Sequence, residues 1–392
     1  MKFDSENFPQ RPAWTEIDLG KLRRNLQLIR GDLPKHVRLM AVVKDEAYGH
    51  GALDVARVAV EEGAWGFGLS TLEEAMHLRD ADITAPLLLL GERREAELEW
   101  CVAHDLTVCV NEPHNVRALA KLASDFGKRV PVHVKIHTGM SRYGVRWDEA
   151  LPLIKIILAE KSLELEGVMT HFAQSDEMEK TFANLQFSRF QEVLTALEQK
   201  KISVKLKHCC NSGGYLDLPD YHLDMVRTGI LLYGVFPSQV CRKIEGIEPV
   251  MSVKARIAAI QKLKPGEVVG YGMRYTAPGE RRIAILPIGY GDGFPRVRNE
   301  GCALIHGRRA PLVGGIAMDA LMVDITDIPQ AQMWDEAVIM GKQGNDEITV
   351  RDIAKLKNSV TYDVLTNWRL RLRRKAVNSH HQPTHAMEAT VK

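Results

Sequence analysis

From residue 38 onward, short apolar runs alternate with amphipathic stretches in a regular beat. The strand-like runs fall at 38–44, 65–70, 86–91, 106–111, 130–138, 165–172, 204–212 and 224–235, which makes eight. Most are separated by helical patterns. In 113–127, Val116, Leu119, Leu122 and Phe126 share one face, with Pro113 early and Gly127 at the stop. In 180–200, Phe190, Val193, Leu194 and Leu197 keep the same three-and-four spacing. Ahead of the series, 14–19 reads as a short strand and 18–30 as a helix carrying Leu22, Leu26 and Ile29.

Eight consecutive strand–helix units predict an α/β fold with an N-terminal TIM-type (β/α)8 barrel, because right-handed crossovers place each helix outside and each new strand beside the last. An open doubly wound sheet is the rival, but no Gly-x-Gly-x-x-Gly follows the first strand. Near residue 245 the beat changes. Short β-like runs at 253–261, 283–287, 303–306, 317–324 and 337–341 are separated by Gly and Pro, 272–282 is turn-rich, and 351–357 reads as one short helix. The expected organisation is a barrel over 1–245, a mostly-β C-terminal domain over 246–377 and a loose tail over 378–392.

At 392 residues the chain exceeds a single core, which agrees with two domains. Hydrophobic content of 45% and charged content of 26% are ordinary for a globular enzyme. No apolar stretch approaches the roughly 20 residues that span a membrane, and the first residues lack the apolar core of a signal peptide, so a cytoplasmic protein is expected. A net charge of +2 gives no case for nucleic acid. The six cysteines, with no Cys-x-x-Cys pair, read as reduced and buried. The 14 histidines contain no His-Glu-x-x-His, so no metal is expected.

The chemistry centres on Lys44, where the first apolar run ends. A lysine at the carboxyl end of a barrel strand lies where such folds place their active sites. If desolvated, its amine has a lowered pKa and can attack carbonyls as a free base; the alternative is a strand cap that snorkels to water. The surrounding stretch, Val42-Val43-Lys44-Asp45-Glu46-Ala47-Tyr48-Gly49-His50-Gly51, resembles the pyridoxal-phosphate lysine motif of the alanine racemase family. Asp45 and Glu46 stand at its variable or commonly different positions.

The resemblance runs from about residue 12 to 375 in separate motifs, and it implies roles. Lys44 would carry pyridoxal 5'-phosphate and act as one catalytic base, with Tyr48 in the cofactor site. In His137-Thr-Gly-Met-Ser-Arg-Tyr-Gly144, similar to the family's Asp-Thr-Gly-Met-x-Arg, Arg142 would hold the substrate carboxylate, and Lys135 is a candidate for carbamylation. Ser212, Gly229 and Ile230 would bind the phosphate. Arg227 would face the pyridine nitrogen, with His171 linking it to Tyr271, the second base.

Tyr271, in Gly270-Tyr-Gly-Met-Arg-Tyr-Thr-Ala277, would act across a homodimer interface with shared active sites. Tyr290 is implied at the substrate entrance, Tyr362 near the phosphate and substrate methyl, and the Met318-Asp319 backbone at the carboxylate. Ala317 and Ala320 replace the usual cysteine and glutamine, and 365–374 departs from the common ending. The expected activity is racemisation of alanine. The alternatives are racemisation of serine, lysine or a broad set of amino acids, a cofactor-binding homeostasis protein of the barrel alone, and a fold-related decarboxylase. An acid at the ring nitrogen would mark the last of these, and Arg227 speaks against it.

Overall fold

The computed structural model describes residues 10–379; of the expected tail, all but Asn378 and Ser379 lies outside them. Eight strands, Arg38–Val42, Gly66–Leu69, Leu87–Leu89, Thr107–Val110, Val130–His137, Leu163–Met169, Leu206–His208 and Met225–Thr228, form one parallel sheet. They pair in chain order, and the eighth pairs with the first. The seventh and eighth meet at a seam without a ladder. The backbone–backbone bonds across it are isolated ones, from Asp224 N–H to Lys207 O at 3.0 Å and from Arg227 N–H to Cys210 O at 2.9 Å. The result is a near-closed (β/α)8 barrel.

Both faces of these strands are buried, which explains the continuous apolar runs. Leu39, Ala41, Val108, Val132 and Val168 pack outward in the main core. Met40, Leu88, Cys109, Met169, Leu206 and Met225 form a separate, sulfur-rich cluster. The helices follow the spacing read from the sequence, at Pro113–Asp125 and Thr181–Gln199, and Leu19–Asp32 is capped by the Asp18 side chain on Lys21 N–H.

The mostly-β part differs from expectation in three places. Ala13–Asp18, which lies within the span assigned to the barrel, joins the second sheet, antiparallel to Met251–Arg256 and parallel to Arg373–Val377. The run 253–261 is two strands. Met251–Arg256 pairs with Glu336–Gln343, whereas Ala259–Leu263 pairs with Arg281–Leu286 in another sheet. The switch occurs at Ile257 and Ala258, whose N–H groups bond Asp335 O and Ile285 O respectively; continuous β-propensity carries no mark of a change of partner. In 317–324 only Leu321–Asp324 is strand, because Ala317 N–H bonds Ala320 O across a turn at Met318-Asp319. The expected short helix is Val350–Lys357, and a second, Thr361–Asn367, follows it. No helix among the described residues is long and apolar enough to cross a membrane.

The two parts lock together beside Lys44. Arg374 Nε donates to Gly49 O at 2.6 Å. Gly49 has φ of +82°, and a Cβ there would lie 2.4 Å from Leu365 O. Both the left-handed backbone and the missing side chain are therefore required. Gly49→Ala is expected to cost more than about 2 kcal/mol in urea unfolding at unchanged m-value; a wild-type midpoint would show that the Leu365 segment yields at little cost.

Candidate active site

After Val43 the chain makes a left-handed turn. Asp45, Glu46, Ala47 and Tyr48 all have φ of 53–54°, a conformation that costs about 1–2 kcal/mol for each residue with a side chain. Specific bonds hold it. Glu74 accepts Asp45 N–H on one carboxylate oxygen at 2.7 Å and Ser70 N–H on the other at 2.8 Å, while Glu46 O accepts Gly51 N–H at 2.8 Å. The turn buries Tyr48 and leaves Lys44 half-buried at the carboxyl end of the first barrel strand. Burial, reinforced by the Arg142 charge, lowers the Lys44 pKa; Glu74 and Asp45 oppose the shift. Free base is thereby favoured.

Lys44 belongs to a cationic cluster. Lys135 is buried and donates to Leu90 O at 2.8 Å. Burial, helped by the charges of Arg227, Arg142 and Lys44, pushes its amine down to about 8. Arg142 is exposed and makes no hydrogen bond among the described residues, so it has none to Lys135. His137 organises that loop instead. Its Nδ1 accepts Gly139 N–H at 3.2 Å and Ser141 N–H at 3.3 Å, which gives this position the acceptor that an aspartate would supply.

Arg227 is buried with no carboxylate in contact. It donates to Thr170 O at 2.8 Å, Cys209 O at 3.1 Å, His208 Nδ1 at 2.8 Å and His171 Nδ1 at 3.3 Å. Burial lowers the pKa of His171 and of His208 well below the ordinary histidine value, with the Arg227 charge the next cause in each. Both rings are neutral acceptors to the guanidinium. The Arg227–His171 half of the expected chain is therefore present.

Beside this cation lies a cradle suited to an anionic group. Gly229 N–H donates to Ser212 Oγ at 3.0 Å, and a Cβ on Gly229 would fall 2.6 Å from the Tyr48 hydroxyl. Tyr48 and Tyr362 pack with ring centroids 6.1 Å apart, and neither hydroxyl has a hydrogen-bond partner among the described residues. Burial pushes the Tyr48 phenol up to about 12 and raises Tyr362 as well, so both remain neutral donors. Ile230 is buried next in the chain. Two unpartnered phenols, a backbone approach only glycine permits and a set of cations fit a phosphate-bearing cofactor with a carbonyl near Lys44. No metal-type cluster of His, Cys, Asp or Glu occurs among the described residues.

The second domain brings Tyr290 and Met318 together. Tyr290 N–H bonds Ala317 O at 3.1 Å and Gly291 N–H bonds Met318 O at 2.7 Å. Under them sits Asp292, fully buried, which accepts two bonds from Arg11 at 2.6 and 2.8 Å and Gly289 N–H at 2.9 Å. Tyr271 stands apart. It lies in a short 3-10 turn, is 81% exposed and has no hydrogen bond among the described residues. Met273 and Met318 are exposed too.

Sequence reasoning passed over Glu74, His137, His208 and the Arg11–Asp292 pair. The spacing Thr71-x-x-Glu74 is a legible capping box, and the structure forms it; its additional hold on Asp45 has no local signal. Arg11 and Asp292 are 281 positions apart, beyond any pattern.

Family models for the alanine racemase N-terminal domain and C-terminal domain match residues 17–237 and 250–376. An alanine racemase of Carboxydothermus hydrogenoformans is 40% identical over 359 residues, covering 91% of this chain and 97% of its own length. The solved alanine racemase of Clostridium difficile 630 superposes with a TM-score of 0.90 at 34% identity, covering 94% of this chain and 97% of that one. A histidine racemase of Leuconostoc mesenteroides superposes with a TM-score of 0.86 at 28% identity, over 95% and 99% of the two chains.

The Lys135 amine has a sign that can be tested. With its folded pKa near 8 and an unfolded one in the ordinary lysine range, the unfolded chain binds the extra proton between them. The cost to stability is full below about pH 8 and is relieved as pH rises toward about 10.4. Lys135→Met is expected to be more stable than the parent by about 2 kcal/mol at neutral pH, with the gap closing in that window. Urea midpoints across pH check it, and a pH-independent gap would overturn the assignment of a buried, unmodified amine.

Proposed function

The chain belongs to the alanine racemase family, and from that premise we propose that it is an isomerase interconverting L- and D-alanine with pyridoxal 5'-phosphate bound at the barrel mouth. The observation that carries the reading is Lys44. A half-buried amine with a lowered pKa stands on a strained turn, next to a cation-lined cradle. Lys44 would bond the cofactor's carbonyl carbon, and Tyr48, Tyr362, Ser212, Gly229 and Ile230 would hold its phosphate. When bound, the cofactor supplies a conjugated ring that takes up electron density from the α-carbon.

Arg227 would face the ring nitrogen. An arginine keeps its protons under all ordinary conditions and can only donate, so the ring nitrogen facing it must accept and stays unprotonated. Arg142 and the Met318 backbone would hold the substrate carboxylate, with Tyr290 near the entrance. A carbamate on Lys135 would put an anion among these cations and remove the cost of burying the amine. Once the substrate's amino group has replaced it at the cofactor's carbonyl carbon, the released Lys44 amine would take or return the α-proton on one face of the substrate. Tyr271 of the partner subunit serves the opposite face, with neutral His171 between it and Arg227. Two groups on opposite faces produce inversion.

A homodimer with shared sites is part of this proposal. Its support is the exposure of Tyr271, which has no hydrogen bond among the described residues, and of its neighbour Met273. A second reading, racemisation of another amino acid, is favoured by the Ala317 and Ala320 flanks of Met318 and by the likeness to a histidine racemase. Side-by-side rates on alanine, serine, lysine and histidine separate the two.

The principal experiment is solvent-deuterium incorporation into each enantiomer of alanine. Deuterium at the α-carbon of the opposite enantiomer is expected, and no exchange from alanine would move the assignment to another substrate. Lys44→Ala and Tyr271→Phe are each expected to lower turnover by at least about 10²-fold. A mixture of the two variants should regain activity, because a hybrid dimer contains one site with both residues intact. Inactive hybrids would overturn the shared-site arrangement.

A further inference from the structure

A line of buried polar groups leads away from Arg227 into the barrel. Arg227 NH1 meets His208 Nδ1 at 2.8 Å, His208 Nε2 meets His133 Nδ1 at 2.9 Å, and His133 Nε2 meets Glu166 Oε2 at 3.1 Å. Both rings are fully buried. Glu166 is partly exposed at the far end, where the charges of Lys205 and Arg38 reach it.

Only one arrangement of protons satisfies this line. Guanidinium nitrogens donate and never accept, so His208 Nδ1 must accept. A neutral His208 then carries its proton on Nε2 and donates to His133. His133 must accept on Nδ1, so its own proton is on Nε2, aimed at Glu166. A second proton on either ring would set two donors face to face. Burial, the first cause of the lowered pKa at both histidines, acts in the same direction. Burial opposes ionisation of Glu166, but the His133 bond and the Lys205 and Arg38 charges outweigh it and hold the carboxylate as the terminal acceptor.

The backbone is shaped for the last link. Val132 pairs with Leu165 and His133 with Gly167, so Glu166 is the extra residue of a bulge between Val130–His137 and Leu163–Met169. Leu165 and Val168 both belong to the outer core while Met169 belongs to the separate sulfur-rich cluster, a change of parity that the bulge produces. A Cβ on Gly167 would fall 2.6–2.8 Å from the His133 ring, so only glycine leaves that ring its place.

We infer that Glu166, His133 and His208 form a proton-ordered chain whose polarity holds the Arg227 guanidinium in place toward the cofactor ring nitrogen, which makes all three positioning residues for the reaction. The inference rests on the proposed function for the site that Arg227 serves, but not for the order of the protons. Without an acceptor at position 166, His133 is free to adopt the opposite tautomer. His208 then turns an N–H toward Arg227, and the guanidinium is displaced.

The test compares two substitutions of similar size. Glu166→Gln keeps a carbonyl acceptor without charge, and Glu166→Met has no acceptor. In nitrogen-15 NMR of the full-length parent, His133 and His208 are both expected as neutral Nε2–H tautomers. Glu166→Gln keeps that signature and kcat within about twofold, whereas Glu166→Met mixes the tautomers, shifts the visible band of bound pyridoxal phosphate and lowers kcat about tenfold with little change in KM. An Nδ1–H tautomer or an imidazolium at either ring in the parent would overturn the chain, whether or not alanine is the substrate. Equal kcat and equal spectra for the two variants would overturn its role. Because the NMR needs neither cofactor nor substrate, loss of the racemase reading would leave the proton order independently tested.

Discussion

A guanidinium buried at the barrel seam with no carboxylate against it is the constraint on which the surrounding structure depends. An isolated buried charge is costly unless its donors are satisfied. Here Arg227 spends them on Thr170 O, Cys209 O and the Nδ1 atoms of His208 and His171. Those acceptors come from the ends of the sixth and seventh strands, and Arg227 itself lies on the eighth. The two strands that form no ladder are therefore tied by Arg227, through its side chain on Cys209 O and its N–H on Cys210 O. Neutral imidazoles rather than carboxylates around the cation leave its positive charge available to a ligand.

The same logic explains the strain beside Lys44. Four left-handed residues at about 1–2 kcal/mol each amount to a sizeable share of the roughly 5–15 kcal/mol that holds a domain together. Such a turn persists only where its neighbours over-determine it. Glu74 fixes its start, and Gly49 seats its end against Leu365 with Arg374 on its carbonyl. The second domain thus braces the segment that presents the amine. Coupling the lysine to both domains places it more tightly than a strand end alone could.

What the sequence disclosed follows from what is local. All eight barrel strands and the two helices singled out between them coincide with runs read from periodicity, because burial on both faces writes itself into consecutive residues. Lys44, Tyr48, Ser212 and Arg227 could be singled out as candidates because each sits in a short stretch of particular wording at a strand end. The strand Ala13–Asp18 was visible as a strand, but its partners, Met251–Arg256 and Arg373–Val377, are more than two hundred positions away. The Glu166 bulge is different. Its trace was present in Leu163-Glu-Leu-Glu-Gly-Val-Met169, where apolar alternation slips by one residue, but the slip acquires meaning only when His133 is seen beside Gly167.

Tyr271 shows why the reading of the site extends beyond one chain. The barrel brings the cations Lys135, Arg142 and Arg227, the Lys44 amine and the neutral Tyr48 phenol to its mouth, and the second domain adds Tyr362. Inversion at a carbon needs proton transfer on two opposite faces, and residues rising from one ring of strands approach a bound substrate from one side. A second group must come from above the mouth. Tyr271 lies on the other domain, exposed and without a hydrogen bond among the described residues, in a turn set by Gly270 and Gly272, both of positive φ. A phenol in open water gains nothing from such shaping, whereas one set over the mouth of a second barrel would face a bound substrate from the side the strands cannot reach.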